Sequence, residues 1–170
     1  MFLSNLAESQ QEHITLNGVD SAMVSLLLDY AYTSSITITK SNVQSLLSAS
    51  NLLEVAPVRG ACCRFLERHI DSANCVGIHC FAEVHACHDL ARKAKGFSLK
   101  HFKKVMAMEE WLDLPLDKIV EFLSADELEV EKEEMVFTAA ASWLHKLYAS
   151  RAPSFHKVRS FDCSVLHPQQ

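Results

Sequence analysis

Glycine and proline are scarce, four of each in 170 residues, so few positions specify a turn. A collagen-like or Gly/Pro-rich low-complexity chain is excluded, and long helices joined by short connections are favoured. No stretch approaches the ~18 uninterrupted apolar residues of a membrane helix. The N-terminus, Met1-Phe-Leu-Ser-Asn-Leu-Ala-Glu8, also lacks the basic region and apolar core of a signal peptide. Positive charge is in deficit: 16 Lys and Arg stand against 21 Asp and Glu, a formal net charge of −5. With no basic run to follow a phosphate backbone, neither a nucleic-acid nor a membrane partner is expected. Repeats of 20 to 50 residues are absent, so this sequence encodes no solenoid or propeller. G-x-S-x-G, P-loop and H-E-x-x-H motifs are missing too, which leaves no recognised catalytic constellation.

What is present is apolar and helical. Hydrophobic residues make up 49% of the chain, enough for one large or two small cores. Met23, Leu26, Leu27, Tyr30 and Ala31 fall at i, i+3, i+4, i+7 and i+8 and predict a helix over 21–32. Val43, Leu46, Leu47, Ser50 and Leu53 define a second, with Thr39 placed to cap it. Pro57 suits the first turn of a third, carrying Val58, Cys62, Phe65, Leu66 and Ile70. Ser72 is the expected N-cap of a fourth, with Val76, Ile78, Phe81, Ala82 and His85. One long helix is expected from Leu90 to about 107, where Gly96 costs about 1 kcal/mol relative to Ala unless packing offsets it. Pro115 opens the next, with Leu116, Ile119, Val120 and Leu123. The carboxylates from Glu127 to Glu134 precede a final helix with Val136, Ala140, Trp143, Leu144 and Leu147, and they complement its positive end. Two short strands are expected, 13–16 and the β-branched run Ile36-Thr-Ile-Thr39. The fold class is therefore mainly α with at most two short strands, and 152–170 is expected to be a poorly anchored tail.

The six cysteines, Cys62, Cys63, Cys75, Cys80, Cys87 and Cys163, sit in apolar helical contexts and read as reduced thiols. The densest polar run, His79-Cys80, His85 and Cys87-His88, offers zinc-type ligands. However, Cys80 and Cys87 lie about 10.5 Å apart along a helix axis, too far to share an ion. No metal and no cofactor are expected from that spacing. The Glu109-Glu110 pair and the Glu127–Glu134 group read as solvated faces, not an acid–base pair. Trp111 and Trp143 lie on amphipathic patterns and read as packing anchors. The protein is expected to be soluble and intracellular, in the cytoplasm or nucleus, and not an enzyme.

Leu26-Leu-Leu-Asp-Tyr-Ala-Tyr-Thr33, followed in order by Asn42-Val43, Leu46-Leu47 and Cys62-Cys63-Arg-Phe-Leu66, resembles a late BTB helix and the helices after it in the Kelch-like proteins. Asn74-Cys75, Gly77-Ile78 and Phe81-Ala-Glu83 resemble the family's 3-box. Glu110, Leu112, Leu114-Pro115, Leu123-Ser124, Asp126, Leu128, Val136-Phe137 and Trp143 resemble its BACK domain. The resemblance implies a partial BTB domain over 1–71 and a BACK domain over 72–151, its 3-box at about 72–95, with the irregular tail over 152–170. It implies an adaptor of cullin-3 ubiquitin ligases in which Leu6, Glu8, Tyr32, Ile78 and Phe81 contact the cullin N-terminal domain. Leu6 and Glu8 stand in the family's hydrophobic-x-Glu motif; Tyr32 is where an aromatic touches the cullin; Ile78 and Phe81 line the groove for its N-terminal extension. Each apolar member has a plain alternative as core.

Measured against that family, the chain is expected to lack the early BTB strands with the homodimer interface and the substrate-reading Kelch repeats. Helices 21–32 and 43–53 should then expose apolar faces, with marginal stability or nonspecific self-association in the N-terminal third. The competing reading is a helical scaffold, decoy or nonfunctional fragment that binds no cullin.

Overall fold

The structure, a computed structural model, describes residues 18–130 and 134–146. Nine α-helices lie within them: α1 Ser21–Thr33, α2 Val43–Leu52, α3 Ala56–Arg68, α4 Cys75–Val84, α5 His88–Lys100, α6 Phe102–Val105, α7 Glu109–Asp113, α8 Leu116–Leu123 and α9 Glu134–Lys146. The mainly α expectation holds. The chain divides into two compact units, Met1–Cys62 and Cys63–Gln170, with the division inside α3. The expected strand at 13–16 and the tail 152–170 lie outside the described residues.

In the first unit α1 and α2 pack on one another. Asp20 caps α1 by accepting the Ala22 N–H at 2.9 Å. The buried stripe of α1 is narrower than its periodicity implies: Met23 and Leu27 are buried, Leu26 and Tyr30 half-buried, and Ala31 exposed. Helix α2 buries Val43, Leu46, Leu47, Ala49 and Ser50. No strand occurs among the described residues, which corrects the expectation for Ile36–Thr39. A ladder needs a partner strand. Here the Asn42 side chain takes those backbone groups instead, donating to Thr37 O at 3.0 Å and accepting from Thr39 N at 2.8 Å. Thr39 does mark the entry to α2, its carbonyl accepting from Val43 N at 3.0 Å.

The second unit holds a continuous core of Cys75, Val76, Leu99, Phe102, Val105, Trp111, Leu114, Ile119, Phe122, Leu123, Ala139, Ala140, Trp143 and Leu144. Both tryptophans are the packing anchors expected, and each pins α7 to α9 by a side-chain bond. Trp111 Nε1 donates to Ala139 O at 3.4 Å, and Trp143 Nε1 to Leu114 O at 2.7 Å. Phe102 and Phe122 meet the Trp111 ring edge-on.

Three local expectations are corrected. Asp71, not Ser72, starts the turn into α4: its carboxylate accepts from Ala73 N and Asn74 N while Asn74 Oδ1 accepts from Asp71 N, a reciprocal box. The long helix from Leu90 breaks at His101, so that α6 turns Phe102 and Val105 inward, each 1% exposed. The amphipathic pattern expected around Trp111 reduces to the five-residue helix α7, too short for a full period, although Trp111 itself is buried.

Candidate functional site

Of the five residues tied to cullin contact by resemblance, Leu6 and Glu8 lie outside the described residues. Tyr32, in the last turn of α1, is 90% exposed, and Leu28, one turn earlier on the same face, is 56% exposed. Leu52 and Leu53, at the end of α2, are exposed as well. In α4, Ile78 is buried at 6% exposure, whereas Phe81 is half-buried and tilted against the His85 ring at 4.4 Å. Among these described residues, then, Tyr32 and Phe81 are available to a partner and Ile78 is packed.

The sequence-adjacent Cys/His run is dispersed by the fold. His79 and Cys87 are buried, Cys80 and His85 half-buried, and His88 exposed at the start of α5. What folding assembles instead is a charged cluster. His79 and Glu83 stand one turn apart on α4, Lys95 comes from α5, and Lys118 and Glu121 come from α8. Lys95 Nζ lies 2.6 Å from Glu121 Oε1 and Lys118 Nζ 2.6 Å from Glu121 Oε2, while Lys118 also binds Glu83 Oε2. Burial alone would raise the Glu121 pKa, but hydrogen bonds and charge from Lys118 and Lys95 outweigh it and hold the carboxyl at about 2. Burial would lower that of Lys118; Glu121 and Glu83 reverse the sign and keep the ammonium charged. His79 Nδ1 lies 3.1 Å from Ala91 O, and its Nε2 is buried with no hydrogen-bond partner.

Beside this cluster, an open cleft of about 350 Å³ runs between α4 and α7, lined by Val76, Gly77, Cys80, Glu109, Glu110, Asp113, Leu114 and Pro115. Its wall carries the most informative tertiary bond in the unit. Gly77, in the first turn of α4, donates its N–H to Glu110 Oε2 at 3.0 Å. Asn74 makes no side-chain cap bond, so a carboxylate distant in sequence serves the positive end of this helix. At the end of α7, Asp113 Oδ1 pairs with Lys146 of α9 at 2.5 Å.

These groups are suited to binding more than to reaction. Burial pushes the Cys75 and Cys80 thiols above their ordinary range, the opposite of what a thiolate nucleophile needs. The cluster and the Glu110 cap escaped sequence reasoning. Only His79/Glu83 at i, i+4 and Lys118/Glu121 at i, i+3 were local signals for them.

Two family models match the sequence, BTB/POZ domain over residues 1–70 and BACK, "BTB And C-terminal Kelch", over residues 75–163. BTB domains are protein-interaction modules, and families that join BTB to BACK are adaptor-type and generally non-enzymatic. No described helix is long and apolar enough to cross a membrane.

Proposed function

The chain belongs to the Kelch-like BTB–BACK family, and from that premise we propose that it acts as a non-catalytic adaptor-type protein docking on the N-terminal domain of cullin-3. Ubiquitin transfer in such an assembly belongs to the RING subunit and the charged E2 that the cullin carries. The observation that carries the reading is the face of α1: Tyr32 is 90% and Leu28 56% exposed, an aromatic and an aliphatic side chain one helical turn apart. Tyrosine is enriched among the few interface residues whose truncation costs about 2 kcal/mol or more. Phe81 on α4 offers a second apolar contact from the 3-box-like segment. The same reading places the protein in the cytoplasm or nucleus.

Calorimetric titration of cullin-3 N-terminal domain into Tyr32→Ala, Leu28→Asp, Leu6→Asp and Glu8→Ala proteins tests the assignment. Loss of an anchor should weaken binding by about tenfold or more, equivalent to about 1.4 kcal/mol. Affinities equal to the parent's for all four would remove this face from the interface. No saturable heat for the parent would favour the scaffold or decoy reading.

A further inference from the structure

His79 is 3% exposed, and its ring is oriented as metal-binding histidines are. The carbonyl of Ala91 can only accept, so Nδ1 donates its N–H to it at 3.1 Å, and in that tautomer of the neutral ring the lone pair is on Nε2. The edge-on ring of Phe122 at 5.3 Å holds the orientation. Nε2 is the only buried side-chain nitrogen or oxygen among the described residues without a hydrogen-bond partner, and it faces Glu83 Oε2 at 3.6 Å and Glu121 Oε1 at 3.7 Å. At those distances neither carboxylate is within hydrogen-bond reach of Nε2, and a cation placed among the three would be held by all of them.

We propose that His79, Glu83 and Glu121 form a site for a divalent cation of the borderline class, Zn²⁺ foremost, which enters by exchange with the Lys118 ammonium. Nitrogen and oxygen ligands at about 2.0–2.2 Å in tetrahedral array stand about 3.3–3.6 Å from one another. The three ligand atoms here all lie within 4.8 Å of one another, so small rotamer changes close the site. Imidazole nitrogen with two carboxylate oxygens suits zinc better than calcium or magnesium, which favour oxygen alone. Two ammonium groups compete with the ion: Lys95 holds Glu121 Oε1, the oxygen that faces Nε2, and Lys118 binds both carboxylates through Glu83 Oε2 and Glu121 Oε2, its side chain 19% exposed on a flexible stem that can carry the charge out to solvent. This differs from a Cys/His zinc site: His79 is the one member of the sequence run that takes part. The ion would tie α4 to α8.

The test is titration of the full chain, purified in chelator and exchanged into reducing buffer, with Zn²⁺ by calorimetry and with Co²⁺ by visible absorption. One Zn²⁺ per chain is expected, with Co²⁺ ligand-field bands but no sulfur charge-transfer band. H79Q and E83Q should abolish both signals with helix content unchanged, and K118M should tighten binding at least tenfold by removing one competing ammonium. Absence of saturable binding in the parent and K118M, binding that survives H79Q, a sulfur-ligand spectrum, or weaker binding in K118M would each overturn the site. Should K118M fail to fold, the parent and E83Q decide: stoichiometric binding lost in E83Q supports the site, and no binding or unchanged binding refutes it.

Discussion

Replacing Gly77 by alanine sets two effects of opposite sign against each other at one helix. An interior helical Gly→Ala change ordinarily stabilises by about 0.5–1 kcal/mol, because alanine loses less backbone entropy on folding. At Gly77, however, an added Cβ would stand 2.9 Å from Glu110 Oε1 and 3.2 Å from its Cδ, closer than contact allows. The Glu110 carboxylate must swing away and surrender the 3.0 Å bond from Gly77 N–H. A charge-assisted hydrogen bond contributes about 1.5–3 kcal/mol, and a carboxylate at a helix N-terminus a few tenths more. The loss wins, and Gly77→Ala should destabilise by about 1–2 kcal/mol. In a Glu110→Ala background there is neither clash nor bond to lose, so the same substitution should stabilise by about 0.5–1 kcal/mol. Urea unfolding followed by tryptophan fluorescence reads the correct unit, because Trp111 and Trp143 both lie in its core. The reversal of sign is the diagnostic: if Gly77→Ala has the same effect with and without Glu110, the carboxylate does not cap α4 and the reasoning fails.

Three further substitutions probe the same unit by the same assay. Ala86 sits at φ 53° where α4 ends, with Cys87 N bonded to Ala82 O and Ala86 N to Glu83 O, so Ala86→Gly should relieve left-handed strain and stabilise by about 1 kcal/mol; a loss of stability would contradict that cap. Gly96 lies exposed within α5 with no atom near its missing Cβ, so Gly96→Ala should add about 0.5–1 kcal/mol, and a destabilised protein would mean that packing needs the glycine after all. Trp143→Phe removes the 2.7 Å bond to Leu114 O while keeping an aromatic ring, and should cost about 1–3 kcal/mol; an unchanged urea midpoint would show that the bond does not tie α9 to α7.

Helices with a full apolar period were readable from sequence: the stripes through Leu27, Leu46, Ile119 and Trp143 became α1, α2, α8 and α9. Their ends were less so, for a reason the scarcity of glycine foreshadows. Ser34, Glu54 and Ala86 take the positive-φ positions at the ends of α1, α2 and α4, where glycine would have announced a stop. Ile36–Thr39 has the composition of a strand, but propensity does not supply a partner for the ladder. The break at His101 is likewise a tertiary event, set by the burial of Phe102 and Val105 beyond it.

The candidate sites divide in the same way. Tyr32, beside the apolar stripe of its helix, lies on the surface, and Ile78, on the stripe of α4, is buried. Periodicity says that a residue is on a face, not what covers that face. His79, Glu83, Lys95, Lys118 and Glu121 come together from three helices, and the cap on Gly77 comes from a fourth. Such contacts between distant segments leave little trace in a single sequence.

The most direct measurement of the central claim is calorimetric titration of the parent chain with the cullin-3 N-terminal domain in reducing buffer. The adaptor reading predicts a saturable heat with a defined stoichiometry, weakened about tenfold by Tyr32→Ala. A folded parent chain that gives no saturable heat at all would contradict it.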